Sequence, residues 1–300
     1  MNTEHAIVVK NLTKKYDDFL LDHLNFEIPQ GTIVGYVGEN GAGKSTTMKA
    51  MLGLMPIDAG EVTLLGHKVE QGEAESAYKE HIGVVFDECN FPEYLKVKYV
   101  NAIMKEVYRT WDEKKFQDFL VRFGLPENKT VRELSRGMKM KLSLAVALSH
   151  DSKLLILDEA TSGLDPVVRS EILDIFREFI EDETHTVFLS SHIISDIEKI
   201  ADYVMLIHKG KLLFMENKDE LLYRYGIVSC SLKQAQLIPE ALIVGSRKSE
   251  FAVEVLVKDR GEIEKSDFQK AANACGDGPV IIEKVGMEEL LLYYIGREEK

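Results

Sequence analysis

The chain has three cysteines in 300 residues, one tryptophan and seven prolines, and its charge leans acidic, with 50 Asp and Glu against 37 Lys and Arg. Each shortage removes a class of protein. Cys89, Cys230 and Cys275 stand far apart with no CxxC spacing, so neither a zinc site nor a disulfide framework is written in them. No stretch approaches the roughly 18 apolar residues needed to cross a bilayer. The opening MNTEHAIVVK has neither the basic segment nor the apolar core of a secretory signal, and the expectation is a cytoplasmic protein. A chain that holds nucleic acid by neutralising phosphates carries a basic face. Here both the part up to Asn217 and the tail beyond it are net negative, and no nucleic-acid partner is expected.

What is present is a repeating alternation. IVVKNL, GTIVGYVG, HIGVVF, KLLILDE, HTVFLSS and DYVMLIH are short runs rich in Val, Ile and Leu. Between several of them, residues 44–54, 135–149, 166–181 and 195–200 have helical patterning, and Pro166 occupies a first-turn position that tolerates proline. Nearly all-apolar strands separated by helices indicate a mainly parallel sheet covered on both faces, an α/β core. Residues from about 95 to 134 have helix-forming composition and no strong strand, which suggests a helical subdomain inserted between two core strands. After residue 225, GIVSCSL, ALIVG, FAVEVLV and PVIIEKV read as strands, with helices at 266–274 and 287–295. The chain therefore reads as a domain over residues 1–225 and a small α+β domain over 226–300.

The sequence GENGAGKS at residues 38–45 follows the strand-like TIVGYV and opens a helix. Glycines at Gly38, Gly41 and Gly43 let the backbone wrap phosphate oxygens, whose charge meets amide N–H groups and a helix N-terminus. Lys44 would reach the β and γ phosphates of ATP. The Ser45 hydroxyl would hold Mg²⁺, with Asp158 contributing from the end of the LLILD strand. Glu159 follows directly and cannot share that role, because side chains alternate at a strand end; it is a candidate base for an attacking water.

The order GENGAGKST, LSRGM, LLILDEATSGLD and SSH resembles the nucleotide-binding cassette of ATP-binding cassette (ABC) proteins over about residues 7–217. The resemblance implies a P-loop NTPase fold, ATP hydrolysis and a further set of site residues. Asn40 and Thr46 fall within the matching phosphate loop. Tyr16 matches the aromatic on which adenine stacks, and His192 the histidine that contacts the γ-phosphate and the attacking water. Ser135 and Gly137 match signature positions that contact ATP held by a second cassette in a head-to-tail homodimer or heterodimer. Asp165 matches the turn residue that crosses that interface.

Two positions depart from the family pattern. Asp87 stands where a Gln usually touches Mg²⁺ and water, keeping a metal-competent oxygen, with Glu88 as a neighbour able to replace it. Arg136 and Met138 make the signature LSRGM rather than LSGGQ. The resemblance further implies a separate transmembrane permease subunit, docked near residues 86–97, where Phe91, Tyr94 and Leu95 are candidate contacts. The expected location is then peripheral, on the inner face of the cell membrane, with the chain resembling exporter ATPases. A soluble ABC ATPase acting in translation or nucleic-acid maintenance is the competing reading. Such proteins usually carry two cassettes or long coiled coils, and this chain has one cassette and no heptad run.

Overall fold

A computed structural model describes residues 4–70, 77–248, 252–265, 268–275 and 277–298. The chain divides into two compact units, Met1–Met215 and Glu216–Lys300. The division falls ahead of the 225–226 boundary suggested by sequence. Tyr225, whose hydroxyl bonds that of Tyr294 at 2.7 Å, already belongs to the second unit.

The first unit opens with β1 (His5–Lys15), β2 (Leu20–Pro29) and β3 (Ile33–Val37), followed by α1 (Lys44–Met51), β4 (Ala59–Leu64) and β5 (His67–Lys68). Next come β6 (Ile82–Val85), α2 (Val97–Val107), α3 (Glu113–Arg122), α4 (Arg136–Leu148) and β7 (Leu154–Asp158). It closes with α5 (Pro166–Phe179), β8 (Thr186–Ser191), α6 (Ile194–Ile200), β9 (Tyr203–His208) and β10 (Lys211–Asn217), whose last two residues fall past the division. The strands form two sheets, ordered β2-β1-β4-β5 and β10-β9-β3-β8-β7-β6. In the larger one β6, β7, β8, β3 and β9 run parallel. Every residue of β3, β7 and β8 is buried, as expected of strands covered on both faces.

β1, which the sequence placed among the core strands, instead leads the smaller antiparallel sheet with β2 and β4. Its apolar residues Ile7, Val9 and Leu12 share one core with Tyr36, Met48 and Phe188, so the two sheets close around α1. The aromatic rings of Phe26 and Tyr36 stack on Phe188 at 6.3 and 5.3 Å. The chain between β6 and β7 supplies α2, α3 and α4. These two strands are nonetheless neighbours in the sheet, so the helical segment is an insertion that leaves the sheet intact.

The second unit contains α7 (Lys218–Arg224), β11 (Gly226–Cys230), α8 (Leu232–Ala235), β12 (Ile243–Lys248), β13 (Val253–Val257), α9 (Arg260–Lys265), α10 (Phe268–Ala274), β14 (Ile281–Lys284) and α11 (Met287–Glu298). Its antiparallel sheet has the order β12-β13-β11-β14. Val228, Val255, Ile263 and Phe268 lie in a core of its own. Phe251 and Ser266, expected to open a strand and a helix, lie outside the described residues.

Candidate functional site

The parallel strands bring their C-terminal ends to one edge of the sheet, where open α/β folds place their ligands. Val37 of β3 pairs with Ser191 of β8, and Asp158 of β7 with Ser190. The phosphate loop leaves β3 at this edge. A Cβ on Gly38 would lie 2.5 Å from the Ile207 carbonyl oxygen, and one on Gly43 within 2.8 Å of Leu21 and Phe19. Gly43 also has φ 113°, so both positions require glycine. Lys44 is buried, and its Nζ donates to the carbonyls of Gly38 (2.7 Å) and Glu39 (3.2 Å). Thr47 Oγ1 donates to the Gly43 carbonyl at 2.8 Å and meets the Tyr36 hydroxyl at 3.1 Å. Burial pushes that tyrosine hydroxyl far above its ordinary range. Asn40, Gly41 and Ser45 remain exposed and Thr46 half-buried.

Glu159 is the hub. Its Oε1 lies 3.2 Å from Lys44 Nζ, and its Oε2 is 2.6 Å from His192 Nδ1. The three residues assigned to catalysis from sequence, Lys44, Glu159 and His192, therefore meet in one cluster. Glu159 has φ 52°, a left-handed conformation that costs a non-glycine residue about 1–3 kcal/mol and collects at functional sites. Ser190 holds it there. The Glu159 amide donates to both the Ser190 carbonyl (3.2 Å) and Ser190 Oγ (3.0 Å). That same Oγ donates to Asp158 Oδ1 at 2.6 Å. Ser190 is the site residue that sequence reasoning missed, and its register opposite Asp158 is the signal that identifies it.

Ser45 and Asp158 fit the Mg²⁺ expected from sequence. Ser45 exposes its hydroxyl in the first turn of α1, which packs on β7, and Ser190 holds Asp158 by one oxygen only. Both are the hard oxygen donors that Mg²⁺ takes alongside water and phosphate.

A second group forms at the head of α4. Ser135 caps the helix, its Oγ accepting from the Met138 amide at 3.2 Å, and the first turn contains no acid. Gly137 faces Val168 and Leu164. Asp165 caps α5, accepting from the Val167 and Val168 amides at 3.1 Å. Asp87 does not stand alone: Arg136 Nη2 binds its Oδ1 at 2.5 Å. Tyr16 is 43% exposed just past β1. Its ring is 6.4 Å from that of Phe19, which in turn packs at Gly43 and so brings Tyr16 to the rim of the phosphate loop.

A phosphate loop at a sheet edge, with two successive carboxylates at the end of β7 two strands away, defines a P-loop nucleoside triphosphate hydrolase. Comparison with known proteins narrows this. The family model described as ABC transporter matches residues 21–162. A bacitracin transport ATP-binding protein of Bacillus licheniformis is 36% identical over 210 residues, covering 69% of this chain and 68% of its own. A lantibiotic transport ATP-binding protein of Streptococcus pyogenes is 33% identical over 218 residues, covering 70% and 90%. The solved ATP-binding subunit of an ABC transporter superposes with TM-score 0.65 and 25% identity over 72% of this chain and 91% of that one. The chain belongs to the ATP-binding subunits of ABC transporters, and it is an ABC ATPase.

Proposed function

We propose that the chain powers an exporter from the inner face of the cell membrane, acting on a separate transmembrane permease subunit through ATP-dependent closure of two cassettes. The observation that carries this reading is Glu159, held between Lys44 and His192. An incoming triphosphate offers Lys44 stronger partners than a carboxylate, which frees Glu159 to take the proton of an attacking water while His192 keeps it oriented. Ser45 and Asp158 would hold Mg²⁺, whose charge would offset that of the phosphates. Ser135 and Gly137, at the head of α4, suit the phosphates of a second cassette, and Asp165 stands beside them at the head of α5.

The permease reading is supported by the surface of the helical segment. Tyr99, Ile103 and Val107 repeat at four-residue intervals along α2 and are 51%, 41% and 59% exposed. Such an apolar stripe on a soluble helix is ordinarily covered. Beside it a cleft of about 860 Å³ is lined by Leu52, Leu54, Val84, Phe86, Val107 and Tyr108 among others. Of the three contacts expected from sequence, Tyr94 is 76% exposed, while Phe91 and Leu95 are half-buried. No helix among the described residues is long and apolar enough to cross a membrane. The bacitracin and lantibiotic transporters among the relatives support a peptide-antibiotic cargo. Affinity purification of the tagged chain from native membranes tests the reading. An integral membrane protein should accompany it; ribosomes or DNA in its place would move the chain to the soluble ABC ATPases.

A further inference from the structure

β6 and β7 pair in parallel with Val85 opposite Leu157. Both strands end at the sheet edge that carries Asp158, and Asp87 follows two residues after β6 at that same edge. Asp87 therefore adds a third acid to the edge where Asp158 and Glu159 stand and a triphosphate is to bind, and its negative charge opposes that of the phosphates. The structure answers each acid differently. Lys44 takes Glu159, Ser190 holds Asp158, and Arg136 takes Asp87.

Arg136 is the first residue of α4, between Ser135 and Gly137. Its guanidinium lies against Gly163, where an added Cβ would fall 2.7 Å from Nη1 and 2.9 Å from Cζ. One side chain therefore ties the end of β6, the head of α4 and the turn between Glu159 and Asp165. The pair is about half exposed, 51% and 49%, and pairs in that setting add little to folding stability.

Building on the ATP-site reading above, we propose that Asp87 and Arg136 act as one positioning unit. Arg136 is the counter-ion that makes an acid acceptable at residue 87 beside the phosphates, and in doing so it sets the head of α4 against the Gly163 turn. Removing the cation alone leaves a bare carboxylate facing the triphosphate, and removing both charges relieves it. With Asp87 engaged by Arg136, the pair is assigned no chemical step, and its effect is to be read in nucleotide affinity.

The test is equilibrium binding of a fluorescent ATP analogue with Mg²⁺ to full-length wild type, Asp87→Asn, Arg136→Gln and the double variant, with thermal midpoints recorded for all four. Arg136→Gln should weaken binding on the order of tenfold, about 1.4 kcal/mol. The double variant should return to within about twofold of wild type, a coupling that independent sites do not show. Thermal midpoints should stay together, separating positioning from folding. An unchanged affinity in Arg136→Gln, additive losses in the double variant, or losses that track the thermal midpoints each overturn the unit. Wild-type ATPase is assayed in parallel. Coupled binding without hydrolysis keeps the unit and removes the catalytic reading, whereas hydrolysis with additive binding does the reverse. No binding by wild type removes both.

Discussion

Glu159 holds three constraints at once: a left-handed backbone, an ion pair with Lys44 and a contact with His192. Replacing it with Gln keeps the shape and removes the proton acceptor. Glu159→Gln should bind ATP as wild type does while its turnover falls roughly 10²- to 10⁴-fold, the range of a general base. Single-turnover hydrolysis alongside nucleotide retention checks this, and a near-normal rate would dismiss Glu159 as base. Ser190 allows a separate prediction. Ser190→Ala strips a buried hydroxyl from Asp158, leaving its Oδ1 without that donor at a cost of about 1–3 kcal/mol, while the Glu159 amide keeps the Ser190 carbonyl. Denaturant midpoints should drop accordingly, and ATPase should fall with them. Lys44, Asp158 and Glu159 were readable because the loop spacing and the strand end dictate their chemistry. Ser190 was not, since a serine in an apolar strand has no chemistry until the register shows what lies across from it. Arg136 and Asp87 stood out in sequence as separate oddities, and only the 2.5 Å contact shows that the two are paired.

Sequence reasoning missed β2 and misplaced β1 for different reasons. β2, LLDHLNFEIP, alternates buried and exposed residues and so lacks the continuous apolar run by which the inner strands were recognised; the period-2 signal of a half-covered sheet was the one to seek. β1 has apolar runs at both faces, and nothing local says which sheet it joins. Between elements, the joint of the 3₁₀ turn Ala77–His81 with the α2–α3 connection was equally invisible. There Glu80 accepts from the Arg109 and Thr110 amides at 2.8 and 3.1 Å, and His150 Nδ1 donates to the Glu80 carbonyl at 2.8 Å while stacking on Tyr108 at 4.0 Å.

Burial pushes the His150 imidazole below its ordinary value, outweighing the attraction of Glu80. Burial also raises the Glu80 carboxyl, but its three donors from Arg109 and Thr110 outweigh that and hold it below the usual range. Both groups bind protons more readily in the unfolded chain, so acid weakens the fold. The His150 contribution is intact above about pH 6.5 and is lost as pH falls below that value towards the folded one; the Glu80 contribution goes in a lower window, below about pH 4.5. The thermal midpoint should therefore fall between pH 7 and pH 5.5. In His150→Phe, which keeps the stack and cannot protonate, the fall should be shallower. Equal slopes would show that His150 does not set this dependence.

At the scale of the whole chain, two units with separate cores share one polypeptide, and the nucleotide chemistry is all in the first. The tail's strands were legible because each is an apolar run bounded by turn residues. What the tail does was not, because its chemistry-bearing residues follow no spacing that implies a ligand. The division itself makes a prediction about linkage. A ligand stabilises only the structure that binds it, by about 2.7 kcal/mol at a concentration of 100 Kd. For a unit of this size that raises the thermal midpoint by roughly 5–10 °C. The single tryptophan, Trp111, lies in the first unit, with its indole N–H bonded to Asn101 at 2.8 Å. Its fluorescence therefore reports the cassette alone, while far-ultraviolet circular dichroism reports both units. With Mg-ATP the tryptophan midpoint should rise by that amount in the Glu159→Gln chain, which cannot consume its ligand, while a second dichroism step stays in place. A dichroism trace that shifts as a whole with the tryptophan signal would mean that the two units unfold as one.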